Sequence, residues 1–150
     1  MKATRKLINY SPYQSNVHDP KIAPWEIRVQ WPCKWVCCPD SGQPPFVTAF
    51  KKVFSIEEDA VIRVHVSADE RYELYVDGER VGRGSERGDK YNWFFETYDL
   101  ELDKGEHVIS ARVWSLGRLK PGAQRSVYPG FIFSPEEEKY IRILGTGVTE

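Results

Sequence analysis

Long apolar runs are missing from this 150-residue chain. Its opening, MKATRKLINYSPYQ, mixes basic and polar side chains without the apolar stretch of a secretory leader, and no later window approaches the ~20 residues of a membrane span. The chain is therefore expected to be soluble, with no membrane partner. Net charge is missing too. With 21 basic and 22 acidic residues the formal charge is -1, so no global field recruits nucleic acid, which is not an expected partner. Cysteine is scarce. Cys33, Cys37 and Cys38 fall in one short window, an odd number too closely spaced for loop-closing bridges, and are read as reduced thiols. That points to the cytoplasm, with the periplasm open if a leader precedes the chain. CKWVCC, with His18, His65 and His107 as the other nitrogen ligands, does not supply the four-ligand spacing of a zinc site. No cofactor is expected; a structural calcium on an oxygen-rich loop stays open, although six oxygen ligands cannot be assembled from the sequence. Helical periodicity is absent as well, and no repeat or low-complexity tract interrupts the chain.

Aromatic residues and a period of two are what the chain does have. Aromatics make up 13% of it, with five Trp and eight Tyr, which means an aromatic-rich core or rings turned toward a ligand. Residues 1–24 are polar and punctuated by proline, and read as an extended N-terminal arm. From Trp25 the chain alternates. In AVIRVHVSA, residues Ala60, Ile62, Val64, Val66 and Ala68 share one face while Arg63, His65 and Ser67 share the other, as a half-buried strand requires. RYELYV continues the pattern with Tyr72, Leu74 and Val76. Asp77-Gly78 then fits the two-residue loop of a type I′ hairpin, whose residues both need positive φ. In that register Val76 faces Glu79 and Leu74 faces Val81. Further strands are expected near 46–54, 93–100, 106–115, 128–133 and 139–144. Short strands joined by turns rather than crossover helices predict an all-β fold, an antiparallel β-sandwich of jelly-roll type over 25–145, with 146–150 as a linker.

The candidate sites follow from this frame. DGERVGRGSERG is glycine-rich, but a phosphate loop needs a helix whose amides meet the anion, and the following DKYNWFFETYDL favours a strand. The loop instead carries Arg83, Arg87 and Asp89 toward Tyr91 and Trp93. It reads either as a solvated connection or as a surface for a saccharide or another domain, since guanidinium and carboxylate suit hydroxyls and indole suits a pyranose face. Trp114, beside Arg112 on the mixed face of HVISARVW, is either a stacking platform or a residue covered by a loop or a neighbouring domain. Trp25, Trp31 and Trp35 read as a lid on one end of the sandwich. Cys37 or Cys38 with His65 or His107 leaves the oxyanion role unfilled. The acidic clusters Glu57-Glu58-Asp59 and Glu136-Glu137-Glu138 sit in turns, where they face water. No catalytic residue is assigned.

Several of these segments together resemble the N-terminal β-sandwich region of bacterial α-L-rhamnosidases and related glycoside hydrolases. FVTAFKKVFSI, Phe46 to Ile56, is similar to the family's aromatic entry strand with Lys51 in place of arginine. Residues Ala68 to Trp114 repeat its Tyr-x-Leu-Tyr-Val hairpin, Val-Gly-Arg-Gly, Tyr-Asp-Leu and Gly-Glu-x-Val-Ile sequence, and YPGFIF matches in style. The resemblance spans residues 25–133. Ser85-Glu86 stands where the family favours Pro-Ala, Gly88 where it favours serine, and His107 where it favours asparagine; these departures touch loop-borne sugar contacts more than the fold. The resemblance implies a galactose-binding-like jelly roll, non-catalytic in itself. It implies as partner a downstream (α/α)6 catalytic domain of the same polypeptide, bearing the two carboxylates of an inverting rhamnosidase. Saccharide contact, to a rhamnose-containing ligand, or a purely structural interdomain role would then fall to Arg83, Arg87, Asp89, Trp93 and Trp114.

Overall fold

The computed structural model describes residues 1–13, 31–89, 93–124 and 126–148. Its strands are β1 Lys2–Lys6, β2 Phe46–Ile56, β3 Ala60–Ala68, β4 Arg71–Val76, β5 Glu79–Gly84, β6 Glu96–Leu102, β7 Gly105–Ser115 and β8 Phe131–Pro135, followed by helix α1 Glu138–Leu144. They pair antiparallel in two four-stranded sheets, β1-β6-β3-β8 and β2-β7-β4-β5. This is the antiparallel sandwich that the alternation predicts. Inward positions of both sheets meet in one core: Ile62, Val64 and Val66 of β3, Tyr72, Leu74 and Val76 of β4, and Leu100 of β6 are completely buried, against Ile109, Ala111 and Val113 of β7. Each fully buried aliphatic side chain contributes about 1.5–3 kcal/mol of transfer free energy, so the inner faces dominate the stability of the fold.

The hairpin turn has the expected backbone, with φ of 51° at Asp77 and 82° at Gly78. Val76 lies opposite Glu79, but a bulge after the turn places Gly82, not Val81, opposite Leu74. The facing sheet approaches β5 closely here. A Cβ at Gly82 would stand 2.7 Å from Cε1 of Tyr98, and one at Gly84 would stand 2.7 Å from Oε1 of Glu96. These glycines let β5 lie against a tyrosine ring and a carboxylate, and no helix begins at Ser85 to Asp89. Glu96 is itself buried, accepting a 2.7 Å hydrogen bond from the Tyr72 hydroxyl; desolvation raises its carboxyl above the usual range.

Four expectations are corrected. Residues 2–6 are not an arm but an edge strand, with Lys2 opposite Glu101 and an ion pair between them at 3.5 Å; a five-residue strand is too short for its period to stand out. Residues 14–24 of the expected arm lie outside the described residues. Residues 139–144 are helical rather than a strand. Tyr140 and Leu144, four apart, are both buried, and Glu138 pairs with Arg142 across one turn at 3.2 Å, a spacing that a helix alone brings together. Strands β6 and β8 each begin three residues later than expected, at Glu96 and Phe131, leaving Trp93 and Tyr128 in loops. The polar face of β3 is also covered: His65 is completely buried and Ser67 nearly so. Among the described residues no helix is long and apolar enough to cross a membrane, and Cys33, Cys37 and Cys38 are free thiols.

Candidate functional site

Two adjacent acids at the β3–β4 turn, Asp69 and Glu70, organise one end of the sandwich. The Asp69 carboxylate accepts from the Val127 amide at 2.8 Å, from the Tyr128 amide at 3.4 Å and from the Ser126 hydroxyl. Its backbone amide donates to the Gly130 carbonyl at 3.0 Å, and its own carbonyl accepts from the Gln124 side chain at 3.2 Å. Buried Glu70 does the same for the next loop, accepting from the Ser115 hydroxyl at 2.9 Å and the Leu116 amide at 2.7 Å. Charge-assisted bonds of this kind are the stronger class, and they fix loops that have little apolar burial of their own.

The third loop is held through Ser85, which is buried at the end of β5. Its hydroxyl shares a 2.8 Å hydrogen bond with Ser67 and accepts from the Ala68 amide at 3.0 Å, while Ser67 donates to the Phe94 carbonyl at 2.6 Å. The Arg71 guanidinium closes the arrangement on the Ser85 carbonyl. Ser67 thus ties the start of the glycine loop to the segment that carries Trp93 and Phe94.

Between these loops lies a pocket of about 430 Å³, walled by Trp35, Trp93, Phe94 and Tyr128, with Asp69, Glu86 and Asp89 among its polar lining. Tyr128 is 70% exposed and Phe94 is exposed beside it. Trp93 is anchored behind, its ring 5.3 Å from Trp35 and 5.1 Å from Trp31. Trp31 continues into a layer over the outer face of β3, 5.4 Å from Tyr13, 5.1 Å from Phe95 and 5.9 Å from His65. That layer explains the buried His65: its Nδ1 lies 2.9 Å from the Thr97 hydroxyl, its Nε2 has no hydrogen-bond partner among the described residues, and desolvation and then Arg63 push its pKa down to about 4. The ring is held neutral within the packed layer. His107 stands at the opposite end, by the hairpin, with Nδ1 2.7 Å from the Asp77 carboxylate and Nε2 2.7 Å from the Asp103 carbonyl.

The five predicted residues divide between two places. Asp89 and Trp93 line the pocket, and Arg87 is exposed in the same loop. Arg83 and Trp114 instead belong to the outer face of the β2-β7-β4-β5 sheet, Arg83 opposite Glu73 and Trp114 opposite Val47 and Arg71. Of the lid expected at one end of the sandwich, Trp31 lies instead in the layer over the outer face of β3 and Trp35 packs on Trp93, while Trp25 lies outside the described residues, as does Tyr91. Sequence reasoning missed Asp69, Glu70 and Tyr128. Acids in a turn ordinarily face water, and only the tight approach of the 124–130 segment reveals these as anchors. Among the described residues no three His, Cys, Asp or Glu side chains are arranged to hold a metal ion.

No protein-family model matches the chain, and no curated protein does. Among solved structures the chain is similar to part of a GH78 family rhamnosidase of Bacillus sp. GL1, with a TM-score of 0.63 and 26% identity over 72% of this chain. It spans 12% of that chain. It is also similar in fold to a Pleurotus ostreatus lectin in complex with GalNAc, with a TM-score of 0.52 and 22% identity over 69% of this chain and 28% of the lectin. The apo form of the lectin gives a TM-score of 0.51 over 67% of this chain and 27% of that one, at 22% identity.

Proposed function

We propose that this chain is a non-catalytic accessory β-sandwich of an α-L-rhamnosidase-like glycoside hydrolase, and that the pocket between Trp35, Trp93 and Tyr128 contacts a saccharide. In this reading hydrolysis belongs to a separate helical domain, which the sandwich supports. The pocket carries the proposal. Its volume suits one or two sugar rings, its walls offer aromatic faces to the C–H side of a pyranose, and its rim offers carboxylates to hydroxyls. A 6-deoxy sugar such as rhamnose, which presents a methyl group as well, matches a wall this apolar. The likeness to one segment of a rhamnosidase supports the parentage.

The test is a titration of the purified chain with methyl α-L-rhamnoside, galactose and N-acetylgalactosamine, read by tryptophan fluorescence and by protection of the exposed pocket thiol Cys37 from alkylation. A saturable response at millimolar sugar, weakened about tenfold by Trp93→Ala, is expected, since one lost stacking contact is worth about 1.4 kcal/mol. Absence of any response would leave the chain a purely structural interdomain module.

A further inference from the structure

We propose that the outer face of the β2-β7-β4-β5 sheet is a second site, distinct from the pocket, and that it docks an acidic protein surface with an apolar centre. In antiparallel sheets directly opposed residues project to the same side, so the register determines which side chains share this face. One row across it reads Ala49, Arg112, Glu73, Arg83, and the next reads Lys51, Ser110, Tyr75, Arg80. Toward the pocket end the row is Val47, Trp114, Arg71.

The charge on this face does not balance. Glu73 is a single carboxylate among Lys51, Arg80, Arg83 and Arg112. Its oxygens lie 2.5 Å from Arg112 and 3.8 Å from Arg80, and it accepts from the Tyr75 hydroxyl at 3.0 Å. Its side chain is only 14% exposed, whereas those of Arg80 and Arg112 are 60% and 59% exposed. The acid is therefore internal to the cluster and the guanidinium edges remain outward. Glu106, opposite Ser55, and Asp77 lie away at the hairpin end, and Glu70 is spent on Ser115 and Leu116. A local surplus of cations on a chain with a formal charge of -1 marks a surface complementary to carboxylates.

Apolar side chains decide which kind of anion fits. Val47, 62% exposed, and Val53 project from β2, and Trp114 borders a cleft of about 390 Å³ with Pro45, Phe46, Val47 and Leu116. Beside the single indole of Trp114 the centre is branched aliphatic, which gives a sugar polyanion few faces on which to stack but desolvates well against another protein. Arginine, tryptophan and tyrosine around such a centre are the residue types that concentrate binding energy at protein interfaces. Strand β2 adds an edge paired on one side only among the described residues. Lys51 and Lys52 discourage that edge from pairing with like strands while leaving it open to an acidic one.

The test uses the full chain labelled with ¹⁵N and a short peptide of glutamates interleaved with valine and leucine, with the lysine version of the same peptide as the control. Amide shifts are expected in 47–53, 80–83 and 110–114, with affinity falling steeply as salt rises. The double variant Lys51→Glu/Arg83→Glu should weaken binding at least about tenfold. Both residues are exposed, and the milder Lys51→Gln/Arg83→Gln pair should lose part of the effect with an unchanged spectrum elsewhere. The proposal would be overturned by no shifts at millimolar peptide, by equal binding of the lysine peptide, by shifts confined to the pocket loops, or by tighter binding of polygalacturonate at this face. A salt-sensitive dimer in sedimentation, abolished by the same double variant, would reassign the face to a second copy of the chain and overturn it likewise.

Discussion

His107 is drawn toward its charged form by what faces it. Both acceptors, the Asp77 carboxylate and the Asp103 carbonyl, can only accept, so the arrangement favours the doubly protonated ring, which donates from both nitrogens. Desolvation opposes the charge, but the Asp103 carbonyl and the Asp77 carboxylate outweigh it and raise the pKa above its ordinary value. A histidine raised in the folded state contributes stability that is complete below the unfolded value, near 6.5, and is lost as pH rises through the folded value. His107→Asn should therefore cost about 1 kcal/mol at pH 6 and progressively less as pH rises through the folded value, as measured by urea unfolding across the titration. An equal cost throughout would mean that the ring matters through shape alone. His65 is the contrasting case: the same residue type, on a strand of the same sandwich, is held neutral by aromatic cover.

Loops at the pocket end depend on polar anchors more than on burial, and this sets the element-scale behaviour. The Asp69 carboxylate meets Ser126, Val127 and Tyr128 together. Asp69→Ala leaves those donors without a protein acceptor and should cost about 1–3 kcal/mol in thermal or chemical unfolding. Amide exchange at Val127 and Tyr128 should rise, while that of the β3 and β4 core stays protected. If exchange rose equally throughout, the carboxylate would be supporting the fold and not the loop. Helix α1 shows the other kind of anchor: it closes the β8 side of the core through Tyr140 and Leu144, with apolar area instead of hydrogen bonds.

At the scale of the molecule, the sandwich presents two different surfaces, an aromatic pocket at its loop end and a basic, apolar-centred face on one sheet. Trp93 and Trp114 belong to different ones, and the pocket and the Trp114 cleft have no lining residue in common, although Arg71, opposite Trp114, reaches the Ser85 carbonyl at the pocket. Effects at sites in no direct contact add to first order. Trp93→Ala should weaken sugar binding without changing association of the acidic peptide, Trp114→Ala should do the reverse, and the double variant should show the sum within about 0.5 kcal/mol by calorimetry. Strong coupling would mean that the two surfaces form one continuous site.

Alternation alone determined much of this protein. The inner faces of β3, β4 and β7 and the all-antiparallel sandwich are written in a period of two, because side chains of a strand must alternate between water and core, and the Asp77-Gly78 reversal is written in two residues that tolerate positive φ. Asp89 was legible as a polar side chain in a loop and Trp93 as an aromatic following it, although Trp93 was expected to open a strand. Only the tertiary structure decided that Trp114 and Arg83 sit apart from them, that residues 2–6 close a sheet edge, that 138–144 wind into a helix, and that Asp69 holds the loop bearing Tyr128. Each of these depends on a partner far along the chain, and local sequence carries no record of which distant group will arrive to accept a hydrogen bond or bury a ring.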